Sequence, residues 1–100
     1  MPVGSVRGVS KYEWDPDKNA TNILKHGVSF LEAESVLDSE LSRVMVDAEH
    51  SDLEVRFLTI GWSNLGRLLL VVTSEDGPRP RIISARRATK RERDEYTRRR

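Results

Sequence analysis

The chain has no cysteine among its 100 residues. Disulfide bonds and thiolate metal sites are therefore excluded, and this composition suits the reducing cytoplasm, where we expect the protein to act. No stretch approaches the roughly 18 apolar residues of a membrane-spanning helix, so no membrane association is expected. The two histidines, His26 and His50, are far apart and match no metal-binding motif. We accordingly expect neither a metal site nor a cofactor.

Two kinds of catalytic motif are also missing. The phosphate-binding loops GxGxxG and GxxxxGK[ST] do not occur, which gives no support to a nucleotide-binding fold. The GxSxG motif is absent too, and Ser84 has no base near it in the sequence. A nucleophilic hydrolase is therefore poorly supported.

Charge is distributed unevenly along the chain. Residues 1–78 contain seven Lys/Arg and thirteen Asp/Glu, whereas residues 79–100 contain ten Lys/Arg and three Asp/Glu. A basic C-terminal part indicates either an anionic partner or pairing with the acidic remainder of the fold. Charge alone does not decide between these two interpretations.

Local signals predict an α+β fold with a small antiparallel sheet. Asp15-Pro16 is typical of a helix start and Gly27 of a helix end. Ser29 and Glu32 form a capping-box pattern for a second helix, in which each side chain satisfies a free N–H. Consecutive strands with short turns predict a meander, and the grouping of the helices predicts that they cover one sheet face. Strands are predicted at residues 12–14, 43–46, 55–62, 68–73 and 81–88, and a last helix, capped by Thr89, at residues 90–98.

Arginines interrupt the apolar sequence RIISARRA near the C-terminus. Strand alternation predicts Arg81 and Arg87 on one face of the sheet, and Arg86 on the other face with Ile82. A buried arginine is usually paired. Arg86 therefore either forms a structural ion pair, for example with Glu54 or an acidic loop residue, or faces an anion from outside.

The basic residues could also carry chemistry. Lys25 and His26 end the first predicted helix, where positive charge suits the helix dipole without any further role. If they converge with the arginines, lysine and arginine would stabilise charge on a phosphodiester, and a histidine or tyrosine would move protons. RNA carries its own 2′-hydroxyl nucleophile. This set of groups is sufficient for a metal-independent ribonuclease.

Four motifs follow one another in a specific order. They are YEWDPDKNATNILKHGVSFLEA, a D…ExR segment at residues 47–56, IGWSNLGRLLLVV, and RIISARRAT followed by ExxxY. In this order, over residues 12–96, the chain resembles the BrnT family of type II toxins, the ribonuclease partners of BrnA antitoxins. We therefore expect residues 12–100 to be one BrnT-like domain, preceded by a flexible N-terminal leader at residues 1–11.

The resemblance implies a fold, an activity and partners. The implied fold is RelE-like, an α+β fold with a small antiparallel sheet, two N-terminal helices and one C-terminal helix. The implied activity is cleavage of RNA that inhibits translation and is neutralised by a cognate BrnA-like antitoxin. Operator DNA would be bound indirectly, through the antitoxin, and a homodimer within the toxin–antitoxin complex is a further expectation.

The resemblance also implies a set of site residues. The KHG, GR, ISAR and terminal tyrosine motifs give the catalytic candidates Lys25, His26, Arg67, Arg86 and Tyr96. Among them, Arg86 and Arg67 are expected to hold phosphate, His26 or Tyr96 to transfer protons, and Lys25 to stabilise developing charge. The ExR motif adds Glu54 and Arg56 as expected RNA-binding residues. Arg81 and Arg87 are expected to be either structural residues or peripheral RNA contacts.

A second hypothesis belongs to a different class. The chain could be a non-catalytic module that binds RNA or a protein partner through its basic C-terminal region and acts in a regulatory complex. A small downstream gene for a ribbon-helix-helix protein would favour the toxin, and its absence would favour the module.

Overall fold

The structure, a computed structural model, describes residues 11–48, 54–75 and 77–98. The expected leader, residues 1–11, lies outside these ranges except for Lys11. The predicted α+β class is confirmed. The described residues form helices α1 (Pro16–His26), α2 (Phe30–Leu37) and α3 (Lys90–Arg98), and strands β1 (Arg43–Val46), β2 (Arg56–Trp62), β3 (Leu68–Ser74) and β4 (Arg81–Arg87).

Helix α1 begins and ends where its capping residues predict. Asp15 Oδ1 accepts a hydrogen bond from the Asp17 N–H at 2.8 Å, and Pro16 occupies the first helical position, where no N–H is needed. Gly27 adopts the left-handed conformation at φ 68° and donates its N–H to the Ile23 carbonyl. The helix therefore stops at a residue for which positive φ carries no steric cost.

The capping box of α2 forms only in part. Ser29 Oγ accepts the Glu32 N–H at 3.0 Å, as predicted. The return bond from the Glu32 side chain is replaced, because its carboxylate accepts hydrogen bonds from Ser63 and Arg67. The first turn of α2 is instead completed by Asn19, whose Oδ1 accepts the Phe30 N–H at 2.8 Å. The corresponding box of α3 is complete: Thr89 and Glu92 each accept the other's backbone N–H.

The four strands form the predicted meander, in the order β1-β2-β3-β4, with every neighbouring pair antiparallel. Between β2 and β3 the Ser63 N–H donates to the Arg67 carbonyl at 2.8 Å, and Gly66 takes φ 76°. The strand predicted at residues 12–14 is reduced to one parallel bridge from Glu13 to Arg81 at the edge of β4.

Helices lie on both faces of the sheet, so the prediction that they cover one face is wrong. The first face, which carries Leu69 and Val71, packs against α1 and α2 in a core that includes Phe30. The second face carries Leu68, which packs with Ile60 and Tyr96 of α3. The reason is the run LLLVV in β3, which puts large apolar side chains on both faces, and full burial of each is worth about 1.5–3 kcal/mol.

A bulge in β4 changes which of its residues share a face. Ile82 pairs with Thr73 and Ser84 pairs with Val72, so Ile83 is an extra residue. Ile82 consequently joins Ala85 in the first-face core. The prediction from simple alternation is therefore wrong for the first half of the strand: Arg81 lies on the second face with Arg86, and Ile82 lies on the first.

Candidate functional site

Arg67 lies at the centre of a hydrogen-bond network on the first face. It immediately precedes β3, and its Nε donates to Glu32 Oε2 at 3.0 Å. Its Nη2 donates to the other oxygen of the same carboxylate and to the Gly27 carbonyl, the latter at 2.9 Å. Ser63 Oγ donates to Glu32 Oε2 at 2.7 Å. One guanidinium therefore links the start of β3 to α2 and to the residue that ends α1.

The carboxylate in this network is buried and ionised. The Glu32 side chain is only 4% exposed, compared with 26% for Arg67. The hydrogen bonds from Arg67 lower the pKa of Glu32 against the opposing effect of burial, and Ser63 and the charge of Arg87 lower it further. In turn, Glu32 raises the pKa of Arg67. Arg87 belongs to the same side of the molecule, because it aligns with Leu69 on the first face of the sheet.

Lys25 and His26 lie beside this network, in the last turn of α1. Both are exposed, and His26 directly precedes the Gly27 carbonyl that Arg67 binds. Buried Asn22 fixes the same end of α1 to the sheet, since its Nδ2 donates to the Val28 and Ala85 carbonyls, each at 2.8 Å. We name four basic residues of this region, all exposed or half-buried, the basic cluster: Lys25, His26, Arg67 and Arg87.

Arg86 faces the other way and is paired. It aligns with Leu70 on the second face, where its Nη1 and Nη2 donate to the two oxygens of Glu92, each at 2.9 Å. Arg86 lowers the pKa of Glu92. The ion pair considered for Arg86 does form, but with Glu92 of α3 instead of Glu54. Glu92 also caps α3 at Thr89, so the pair holds that helix against the sheet.

Tyr96 is the apolar anchor of α3. Its ring is buried in the second-face core, with the Arg43 guanidinium 5.0 Å from the ring centroid. Its hydroxyl donates to the Leu41 carbonyl at 2.9 Å. Tyr96 is therefore on the opposite face of the sheet from the basic cluster.

Three of the four expected RNA-binding residues are far from Arg67. Arg56 and Arg81 both align with Ser74, at the end of β3 opposite Arg67. There Arg56 pairs with Glu54 at 2.8 Å, and Arg81 lies 3.8 Å from a Glu13 oxygen. Of the expected site residues, Arg67 and Arg87 both act on Glu32, and Lys25 and His26 directly precede the Gly27 carbonyl that Arg67 binds.

The residues that organise the cluster were not predicted as functional. Glu32 carries a capping signal that explains it without any further role, and Asn22 is one polar residue among many in α1. Their contacts with Arg67 and Ala85 span 35 and 63 positions of the chain. No signal in the neighbouring sequence marks either residue, because Glu34 follows Glu32 closely and Asn19 precedes Asn22 in the same helix.

Two further observations concern ions and membranes. Within the described ranges, no group of three or more histidine and acidic side chains is arranged to hold a metal ion. In the same ranges, no helix has both the length and the apolar character needed to cross a membrane.

The described residues form a small α+β protein with basic residues at one end of the first sheet face. Comparison with known proteins identifies the family. The profile of the family described as "ribonuclease toxin, BrnT, of type II toxin-antitoxin system" matches residues 14–92, and the chain belongs to this family. The resemblance inferred from the sequence motifs is thereby confirmed.

A solved relative supports the assignment. The chain is similar to the ribonuclease toxin BrnT of Brucella abortus, whose crystal structure was determined at 1.1 Å resolution. The two are 29% identical, and the alignment covers 79% of this chain and 96% of that one with a TM-score of 0.58. A search of curated proteins finds no match. Membership of a type II toxin family implies an antitoxin as partner.

Proposed function

We propose that the protein is a metal-independent ribonuclease that cleaves RNA at the basic cluster and that its antitoxin neutralises it. The observation that supports this proposal most directly is that Arg67 and Arg87 both act on one buried carboxylate, while Arg67 also binds the Gly27 carbonyl directly after Lys25 and His26. A group of basic side chains is suited to the phosphate of RNA, because charge-assisted hydrogen bonds to phosphate are among the stronger protein hydrogen bonds.

The chemistry needs only groups of the protein, the RNA and solvent water. The 2′-hydroxyl oxygen forms a bond to the adjacent phosphorus while the bond to the 5′-oxygen breaks. His26 takes the proton of the 2′-hydroxyl, and water gives the leaving 5′-oxygen the proton that turns it into a hydroxyl. Arg67, Arg87 and Lys25 stabilise the negative charge that builds up on the phosphate oxygens. The products are a 2′,3′-cyclic phosphate and a 5′-hydroxyl.

Arg86 and Tyr96 have a different place in this proposal from the one expected from their motifs. Both are bonded within the protein on the second face, to Glu92 and to the Leu41 carbonyl. We assign them the role of holding α3 to the sheet. Glu54, Arg56 and Arg81, at the other end of the sheet, would contact RNA only where it extends beyond the cleavage site.

The wider biology is also part of the proposal. We infer a RelE-like arrangement of the sheet and helices, a BrnA-like antitoxin, and cleavage in the cytoplasm that stops translation. Operator DNA would be bound through the antitoxin, by a complex that contains two copies of the toxin. These points rest on the family relationship.

Induction in cells that lack the antitoxin tests the activity. We expect the wild-type protein to stop growth and to generate RNA fragments that end in 2′,3′-cyclic phosphate, and purified protein to cleave in the presence of EDTA. Arg87→Ala should abolish or strongly reduce cleavage. Arg81→Ala, in the same strand but at the opposite end, is the matched control and should cleave normally. Intact RNA after wild-type induction would exclude the ribonuclease.

One observation favours the non-catalytic module as a second candidate. Arg67, a principal cation of the cluster, already makes three hydrogen bonds within the protein. If its role is structural, purified protein will bind RNA with an affinity that falls with salt concentration but will leave the RNA uncut. Measuring binding and cleavage on the same oligonucleotide separates the two candidates.

A further inference from the structure

We propose that Glu32 is a positioning residue for RNA binding: its buried carboxylate orients the Arg67 guanidinium and thereby fixes the end of α1 that carries Lys25 and His26. This inference rests on the proposed function, because it concerns how the same basic cluster is organised. Glu32 itself is too deeply buried to contact RNA.

The Arg67 guanidinium is held in one plane by its hydrogen bonds. A guanidinium has five N–H groups in a rigid plane. Nε and Nη2 of Arg67 are bound to Glu32 and to the Gly27 carbonyl. The Nη1 atom has no acceptor among the residues that the structure describes. Glu32 thus fixes the plane of the group by two bonds while leaving one nitrogen for a phosphate oxygen.

Arg67 also holds the C-terminal end of α1. The Gly27 carbonyl, which Arg67 binds at 2.9 Å, directly follows His26 in the chain. Without Glu32, Arg67 would lose two of its three bonds and rotate more freely about its side chain. The Gly27 carbonyl would then lose its partner, and Lys25 and His26 would be held only by the Asn22 contacts further back in α1.

The second face supplies a matched control. Arg86 and Glu92 form a comparable carboxylate–arginine pair, but that pair contacts α3 and no side chain of the basic cluster. Its one bond to the cluster runs from Arg86 Nη1 to the backbone carbonyl of Arg87, at 3.1 Å. Removal of either carboxylate breaks one such pair. Only removal of Glu32 breaks bonds to a side chain of the cluster, so a comparison of the two separates positioning from general loss of stability.

The experiment uses the full chain and an RNA oligonucleotide with 2′-O-methyl groups, which binds but cannot be cleaved. Glu32→Gln should raise the dissociation constant by about tenfold, whereas Glu92→Gln should change it by less than about twofold. Arg67→Lys keeps the positive charge, but an ammonium group cannot reproduce the planar set of hydrogen bonds to Glu32 and the Gly27 carbonyl. It should therefore bind RNA as weakly as Glu32→Gln. If Glu32→Gln does not fold, the binding of Arg67→Lys provides the test.

A double substitution tests whether Glu32 acts through Arg67. In the Arg67→Lys background, Glu32→Gln should weaken binding little further, because the network is already broken. The backbone amide signal of Gly27 should shift in Glu32→Gln and stay in place in Glu92→Gln, as measured by NMR. Equal binding by wild type and Glu32→Gln, or independent effects of the two substitutions, would overturn the positioning role.

The outcomes keep this inference distinct from the proposed ribonuclease. If the wild-type protein cleaves unmodified RNA and Glu32→Gln binds and cleaves as well as it does, the ribonuclease stands and the positioning role fails. If the wild-type protein binds RNA without cleaving it and Glu32→Gln binds tenfold more weakly, the positioning role stands and the ribonuclease fails.

Discussion

Arg86 and Arg87 are consecutive in β4, yet they serve opposite faces of the sheet. Arg87 aligns with Leu69 on the first face and lowers the pKa of buried Glu32 by its charge. Arg86 aligns with Leu70 on the second face and binds both oxygens of Glu92. Two residues of identical type and adjacent position are therefore expected to differ in what their removal does.

Alanine substitutions separate these two arginines. Arg87→Ala should weaken RNA binding and lower the salt dependence of that binding, with little change in the free energy of unfolding, because Arg87 makes no ion pair with any described residue. Arg86→Ala should cost about 1 kcal/mol of stability, because it leaves half-buried Glu92 unpaired. Urea unfolding and RNA titration at two salt concentrations measure both quantities. The reverse pattern would restore Arg86 as the phosphate contact.

The helices and turns follow from neighbouring residues, which is why the sequence predicts them well. Asp15 and Gly27 bound α1 through contacts within four positions, and the Thr89–Glu92 box opens α3 in the same way. Such signals act before the chain has folded and do not depend on what lies across the sheet. The order of the strands follows similarly from their short connections.

Which face of the sheet a residue occupies depends on contacts between distant parts of the chain. The prediction of the faces of β4 fails for this reason. Nothing in RIISARRA marks Ile83 as the bulged residue, because the bulge is set by the register of β4 against Val72 and Thr73. The capping box at the start of α2 already explained a glutamate at position 32, so the bond between Glu32 and Arg67 was not predicted. The family motifs pointed to Arg67 but gave no information about the buried partner that orients it.

The free energy of unfolding should fall in acid. The pKa values of two carboxylates set the pH range of this fall. The pKa of Glu32 is lowered by Arg67, and the pKa of Glu92 is lowered by Arg86. Their stabilising effect is therefore complete above the unfolded-state value of about 4.3 and is lost as the pH falls through the lower folded-state values. Urea unfolding of the wild type from about pH 7 to about pH 3 should show this loss.

Glutamine in place of Glu32 or Glu92 should reduce the dependence of stability on pH. Glu32→Gln and Glu92→Gln should each be less stable than the wild type at neutral pH and should lose less stability on acidification. The double variant should show the flattest pH profile. Identical acid profiles for the wild type and the double variant would show that other groups govern the transition.

Tyr96→Phe tests whether the tyrosine hydroxyl takes part in proton transfer. The phenylalanine ring preserves the second-face core but leaves the Leu41 carbonyl without its donor. We expect a stability loss of about 1 kcal/mol and a cleavage rate close to that of the wild type. Thermal unfolding and single-turnover cleavage measure the two effects. A large loss of rate in a folded variant would return Tyr96 to the catalytic set.

Asn22 and Asn19 lie one turn apart in α1 and offer a matched pair of substitutions. Asn22 donates to the Val28 and Ala85 carbonyls, whereas Asn19 accepts the Phe30 N–H at the start of α2. An aspartate cannot donate when ionised. Asn22→Asp would therefore direct a buried negative charge at two carbonyl oxygens and should cost about 2–4 kcal/mol.

The same change at Asn19 should be tolerated. Asn19→Asp keeps the acceptor and adds a negative charge near the positive end of the α2 dipole, so its stability should equal or slightly exceed that of the wild type. Urea unfolding of both variants checks this contrast. If the two aspartates destabilise equally, the donor role of Asn22 is not what holds α1 to β4. The bond from the Ala85 N–H to Asn22 Oδ1, at 3.2 Å, and the Arg67–Gly27 hydrogen bond would then hold this end of α1.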